Sequence, residues 1–251
     1  PGENTPRSIV ERYGSETDFD DLNYYKNILL QHFDGEFRPL DKLSIRNMRA
    51  YAATHGADYE LVTGRPFRSH LTGACQKVYM LDEKYDKYDK VLMVDIDMFA
   101  PISCTDNVFM ETGVGLYAET QGMLHRKIAH HAPMFASQKH AYWGGAIYLM
   151  DKALRYRLRR HLGGDESWML PYNKAYQFED EGIMHTLAML SGIRHTREQY
   201  LDRKWCQCSF LPNPEKAGFI HVRTKITPQG PKREKMENYR ALVDAGILYD
   251  Y

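Results

Sequence analysis

KVLMVDIDMFAPIS, residues 90–103, places four apolar residues, Val91 to Val94, directly before Asp95-Ile96-Asp97, and Met98, Phe99 and Ala100 directly after. A short continuous apolar run of this kind reads as a strand buried on both faces. Alternate residues of a strand point to the same side, so Asp95 and Asp97 are expected to converge on one object. Two carboxylates held close repel unless a cation or a proton lies between them. A hard divalent ion with oxygen ligands, Mn²⁺ or Mg²⁺, is the natural occupant. Solvated loop carboxylates, one of them capping a turn, would give the same letters. The apolar flanks argue for the ion, because they leave water a poor partner for charges at that place.

Reading outward, strands alternate with helices. SIVERY (8–13), YELVTG (59–64), VGLYAE (114–119), GGAIYLM (144–150) and AGFIHV (217–222) read as strands. Helices are expected at residues 40–55 and 71–84, over a basic stretch at 151–161, over FEDEGIMHTLAML (178–190), and in KREKMENYRALVDAGIL up to about Gly246. The helix LRYRLRRHL is most simply a solvated basic face. Such alternation predicts an α/β, Rossmann-like single domain over residues 1–251, with a central mostly parallel sheet flanked by helices. Ligands of such sheets bind beyond the carboxyl ends of the strands, which is where Asp95 and Asp97 stand.

The chain has 251 residues, 43% hydrophobic and 26% charged, enough to bury a real core. Thirty-three basic residues balance thirty-three acidic ones, which argues against nucleic acid as a partner. No window approaches the length of a membrane span, and no signal-peptide pattern opens the chain. It begins at Pro1, so either a cytoplasmic protein or the catalytic piece of a secretory-pathway enzyme is compatible with it. Cys206-Gln207-Cys208 lacks the second close pair that a structural zinc site requires.

The segment YDKYDKVLMVDIDMFAPIS, preceded by the helix carrying Lys77, resembles the metal-binding core of nucleotide-sugar glycosyltransferases of the GT-A fold. HAYWGGAIYLM (140–150) resembles their glycine-containing segment near the donor sugar and acceptor. FEDEGIMHTL (178–187) resembles the acidic helix start that presents a carboxylate to the reacting sugar, and GFIHV (218–222) resembles the late strand that supplies a histidine. The four occur in the family's order, and the resemblance runs from about residue 8 to 232.

The resemblance implies a metal-dependent transfer of a sugar from a nucleoside diphosphate, UDP by family frequency, to a hydroxyl of a glycan or glycoconjugate acceptor. Asp95, Asp97 and His221 would hold Mn²⁺ or Mg²⁺, with the imidazole tilting the choice toward manganese. Asp180, with Glu179 as second choice, would be the reacting carboxylate. Tyr13 would stack on the base, and Lys77, Lys225 and Lys232, with Asp95 through the metal, would hold the donor's diphosphate. Trp143, Gly144 and Gly145 would meet the sugar, Trp143 offering a flat face. Residues 8–103 would form the nucleotide side, and 104–251 the acceptor and catalytic side. FEDE is closest to the acidic motif of inverting members, although related motifs occur in retaining ones, so inversion is expected.

Two other readings remain. A sugar-nucleotide nucleotidyltransferase would open with a glycine-rich basic phosphate loop, where SIVERYGSETDFDD is acidic. A non-catalytic carbohydrate-binding module would suit the 18 tyrosines, but has no need of both acidic motifs.

Overall fold

The run at 90–94 does become a strand buried on both faces. The computed structural model describes residues 26–117, 137–163, 179–224 and 233–251. Tyr13 with the strand expected at 8–13, Lys225 and Lys232 lie outside them. Along the chain come β1 (Asn27–Phe33), α1 (Pro39–Thr54), β2 (Asp58–Thr63), β3 (Lys90–Val94), β4 (Met98–Phe99), β5 (Gly115–Tyr117) and β6 (Trp143–Asp151). They are followed by α2 (Lys152–Arg159), α3 (Glu179–Leu190), β7 (Gln207–Cys208), β8 (Ile220–His221) and α4 (Lys235–Asp244).

The main sheet has the order β2-β1-β3-β6-β5. β1 is parallel to β2 and β3, and β6 is antiparallel to β3 and β5. Among the described strands of this sheet β6 alone is therefore reversed, and the fold is α/β with a mostly parallel central sheet. Alternation along β3 explains its uninterrupted apolar run. Val91 and Met93 pack on one side with Ile28, Leu30, Tyr148 and Met150, where α3 adds Ile183, Met184 and Leu187. Leu92 and Val94 pack on the other with Leu29, Ile147 and Leu149, under Met48 and Tyr51 of α1. Each such buried side chain contributes about 1.5–3 kcal/mol. A small sheet, β4-β8-β7, lies beside the main one, and α4 covers it with Tyr239 and Leu242 on Phe99, Ile220 and Val222.

Three features depart from the expectations. The interior strand β1 is not among the strands expected, because Gln31 and His32 interrupt its apolar pattern. Gln31 is nonetheless wholly buried, since its amide donates to Ser44 Oγ and to the Asp95 carbonyl and accepts from the Tyr59 hydroxyl. The helix expected at 71–84 is two 3₁₀ segments, Ala74–Leu81 and Glu83–Tyr85, separated by an extended Asp82 whose carboxylate accepts from Lys84 N. The basic helix α2 begins where Asp151 caps Leu154 N at 2.7 Å, but its basic residues are not simply solvated. Arg155 is fully buried and donates to the carbonyls of Met150, Tyr85 and Tyr88. Arg159 meets Asp86 and the Leu81 carbonyl.

Among the described residues, no helix is long and apolar enough to cross a membrane.

Candidate metal centre and acidic cleft

The two aspartates converge by a different route from the pleat of a strand. β3 stops at Val94, the chain turns over Asp95–Asp97, and Met98 enters the second sheet. The turn is closed by Met98 N donating to the Asp95 carbonyl at 3.2 Å. It is pinned to its neighbours through Asp95 N on the Ala146 carbonyl at 3.0 Å and through Gln31 on the Asp95 carbonyl. β4 then pairs with β8 in a register that sets Met98 opposite His221, and Val222 N donates to the Asp97 carbonyl at 2.9 Å. That pairing delivers the histidine to the carboxylates.

Each aspartate has one oxygen held by a lysine. Lys77 Nζ lies 2.8 Å from Asp95 Oδ1, and Lys235 from the start of α4 contacts Asp97 Oδ2. The opposite oxygens face His221 Nε2, Asp97 Oδ1 at 3.0 Å and Asp95 Oδ2 at 3.8 Å. One ligand atom from each of Asp95, Asp97 and His221 lies within 4.8 Å of the other two. Adjacent ligands of a six-coordinate ion with bonds of ~2.1 Å sit ~3 Å apart, so the trio fits a divalent cation. Burial lowers the basicity of the imidazole, but the hydrogen bond to Asp97 outweighs this and lifts His221 to about 10. Burial would raise Asp97, yet His221 and Lys235 together hold it well below the usual carboxylate range.

The acidic start of α3 closes the other side. Asp180 Oδ2 is 2.9 Å from Lys77 Nζ and accepts the Tyr148 hydroxyl at 3.1 Å. Lys77 also donates to the Gly145 carbonyl at 2.6 Å, so its three N–H bonds have three acceptors. Burial pulls Lys77 down, but Asp180 and Asp95 more than offset it, and the ammonium stays charged well above its ordinary range. Burial raises Asp180, with Lys77 opposing. Glu181 takes the Gly145 N–H at 2.7 Å and the Tyr142 hydroxyl at 3.2 Å. Burial, then repulsion from Asp180, pushes Glu181 up to about 7. A Cβ on Gly145 would stand 2.5 Å from Asp180 Oδ2 and 3.1 Å from Glu181 Cγ. That glycine is required because α3 presses its carboxylates against the β6 backbone.

Asp95, His221, Lys77, Gly145, Asp180 and Glu181 line one cleft of about 710 Å³, together with Arg203 and Arg223. Asp95, Asp97, His221, Lys77, Gly145 and Asp180 are thus brought together, and Gly144 lines the same cleft. Glu179 opens α3. Trp143 is a correction: it is wholly buried, its indole N–H donating to the Gln199 carbonyl at 3.1 Å, and offers no face to a ligand. Its side chain occupies the space left by Gly115, where a Cβ would come within 2.7 Å of Trp143 Cβ. Lys77 also lines this cleft, its ammonium donating to Asp95, Asp180 and the Gly145 carbonyl.

Glu181 and Lys235 were not expected in the site. Glu181 stood in the FEDE cluster and was legible as an acid but not as the partner of Gly145. Nothing local marks Lys235, because its role depends on how α4 docks on the second sheet.

No family model matches the chain, and no curated protein sequence matches it. Its structure is similar to solved glycosyltransferases. One is galactosyltransferase LgtC in complex with donor and acceptor sugar analogs, at 14% identity and a TM-score of 0.49, covering 87% of this chain and 95% of that one. Another is mouse xyloside xylosyltransferase 1 in its apo form, at 10% identity and 0.41, covering 78% and 97%. A third is a mutant of Drosophila β1,4-galactosyltransferase 7 with manganese, UDP-Gal and xylobiose, at 14% and 0.39, covering 85% and 79%. All lie below a TM-score of 0.5 and bear no weight on the activity of this chain.

Proposed function

We propose that this chain is a metal-dependent glycosyltransferase that moves a sugar from a nucleoside-diphosphate donor, UDP by its sequence resemblance, to a hydroxyl of a carbohydrate or glycoconjugate acceptor. The observation that carries the reading is the convergence of Asp95, Asp97 and His221 within 4.8 Å, in a cleft that also holds the buried carboxylate of Asp180. A structural ion pair would need neither three converging ligand atoms nor a second acidic group beside them. The order of the acidic, glycine-containing and histidine motifs along the chain supports the same reading.

In this scheme Asp95, Asp97 and His221 would hold Mn²⁺, or Mg²⁺, which would supply Lewis-acid neutralisation of negative charge on a diphosphate. Lys77 fixes Asp95 and Asp180 relative to each other through contacts of 2.8 and 2.9 Å. Asp180 would take the proton of the attacking acceptor hydroxyl as general base, with inversion at the anomeric carbon, Lys77 opposing the rise that burial imposes on its pKa. Tyr148, donating to the same oxygen, orients the carboxylate. Glu179 is the second choice as base. Gly144 and Gly145, on the cleft wall, would meet the donor sugar through their backbone, the space beside Gly145 being filled by Asp180. Tyr13, Lys225 and Lys232 complete the base and diphosphate contacts, with residues 8–103 as the nucleotide side and 104–251 as the acceptor side.

The test is a donor-hydrolysis screen over a panel of nucleotide sugars with Mn²⁺, paired with calorimetric titration of UDP with and without the ion. Metal-dependent nucleotide binding and hydrolysis abolished by EDTA are expected. Turnover undiminished in EDTA, or no nucleotide binding with Mn²⁺ present, overturns the assignment.

A further inference from the structure

The metal reading proposed above leaves one neighbour of His221 unexplained. Its Nε2 faces Asp97 and Asp95, but its other ring nitrogen, Nδ1, lies 3.7 Å from Cys206 Sγ. Cys206 ends a 3₁₀ turn, Arg203–Cys206, whose Trp205 is wholly buried and donates its indole N–H to Glu111 at 2.9 Å. The next residue opens β7, which runs parallel to β8, with Gln207 N on the Phe219 carbonyl at 2.9 Å and Ser209 N on the His221 carbonyl at 3.0 Å. The thiol and the imidazole are therefore held by one short ladder. The second contact of Cys206 is Met98 Sδ, at 4.0 Å.

The direction of these contacts follows from the chemistry of the three groups. A thioether sulfur accepts and never donates, whereas a thiol has a single hydrogen. If that hydrogen points at Met98, the lone pairs of Cys206 face His221 and can only accept from Nδ1–H. A neutral imidazole has one N–H and one lone pair, so a proton kept on Nδ1 leaves the Nε2 lone pair toward Asp95 and Asp97. Were the thiol to donate to Nδ1 instead, the remaining proton would sit on Nε2 and block the ion. Cys206 lies at the far nitrogen and so serves the site without being a ligand of the same ion.

We propose that Cys206 is a positioning residue for the cation, accepting the Nδ1–H of His221 and so selecting the tautomer that presents Nε2 to the metal. Groups in this position behind a metal-bound histidine are usually carboxylates, carbonyls or water, and a half-buried thiol takes their place here.

The experiment compares the full chain with Cys206→Ser and Cys206→Ala, following Mn²⁺ affinity by electron paramagnetic resonance and the tautomer of His221 by long-range ¹H–¹⁵N correlation in Mg²⁺. Loss of the acceptor in Cys206→Ala should weaken Mn²⁺ binding by about tenfold or more. Cys206→Ser, which keeps an acceptor, should stay within about threefold of the parent, and the Mg²⁺-loaded parent should show Nδ1–H. Equal Mn²⁺ affinity in all three chains overturns the inference while leaving the metal site standing. Equal weakening of Ser and Ala variants together with lowered melting temperatures also overturns it, since packing would then be the cause. A parent chain that binds no Mn²⁺ overturns the metal reading itself, and this inference with it.

Discussion

Replacing Glu181 by Gln should stabilise the protein at alkaline pH and cost it about 1 kcal/mol in acid. Glu181 is buried against Asp180 and takes hydrogen bonds from Gly145 N and the Tyr142 hydroxyl, which do not fully compensate the loss of water; its pKa rises from 4.5 to about 7. The folded-state value lies above the unfolded one, so the stability associated with this group is complete below about 4.5 and is lost as pH climbs through about 7. At roughly 1.4 kcal/mol per unit, the wild type carries a penalty of about 3 kcal/mol at about pH 8 that is absent at about pH 4. Gln keeps a carbonyl for the Gly145 N–H and carries no charge. A weaker hydrogen bond costs the variant about 1 kcal/mol at either pH, so the difference between the two pH values isolates the charge. Urea or thermal unfolding of both proteins at about pH 4 and about pH 8 measures it, with a relative gain of roughly 6–12 °C at the higher pH for a chain of this size. An effect of the same size and sign at both pH values would refute the account, because the carboxyl would then be neutral, or fully compensated, throughout.

Gly145→Ala should lower donor turnover by about 100-fold, the scale of a 1 Å misplacement of catalytic groups, because the new methyl meets Asp180 Oδ2 at 2.5 Å; turnover within twofold of the parent would show that α3 yields freely. Asp180→Asn should cut transfer by about 10²–10⁴-fold with Mn²⁺ affinity unchanged, measured by steady-state rates and metal titration, and an unchanged rate would move the base to Glu179. Arg155→Leu should cost at least about 3 kcal/mol in urea unfolding, since three carbonyls, of Met150, Tyr85 and Tyr88, lose their donor; a loss under about 1 kcal/mol would mean water replaces the guanidinium.

What the sequence revealed follows the range of the interactions involved. Val91 to Val94 advertise a doubly buried strand because burial on both faces removes the usual alternation, and the acidic pair at its end is visible in the same short window. The way the pair converges is not visible there, since the turn over Asp95–Asp97 is set by Ala146 and Gln31 from neighbouring strands. β1 escaped detection for a related reason: Gln31 breaks the apolar pattern, and its compensation comes from Ser44, Asp95 and Tyr59, on three other elements. Trp143 misled because a flat ring beside two glycines suggests an open wall, whereas the space vacated by Gly115 on the adjoining strand receives it. Lys77 was legible as a basic group near the acids but not as one shared among Asp95, Asp180 and the Gly145 carbonyl.

The pattern of charges bears on how the proposed ion and an anionic ligand would share this cleft. Asp95, Asp97 and Asp180 are each in contact with Lys77, Lys235 or His221, so every carboxylate of the cluster already has a basic partner. A divalent ion held by Asp95, Asp97 and His221 would add a surplus positive charge to a buried setting, where an uncompensated charge is costly. Either lysine could relieve that surplus only by leaving its aspartate, and Lys77 could not leave without also releasing Asp180 and the Gly145 carbonyl. An anionic group bound to the exposed side of the ion removes the surplus with every lysine still in place. Arg203 and Arg223 line the same cleft and add positive potential there, which favours an anionic companion for such an ion.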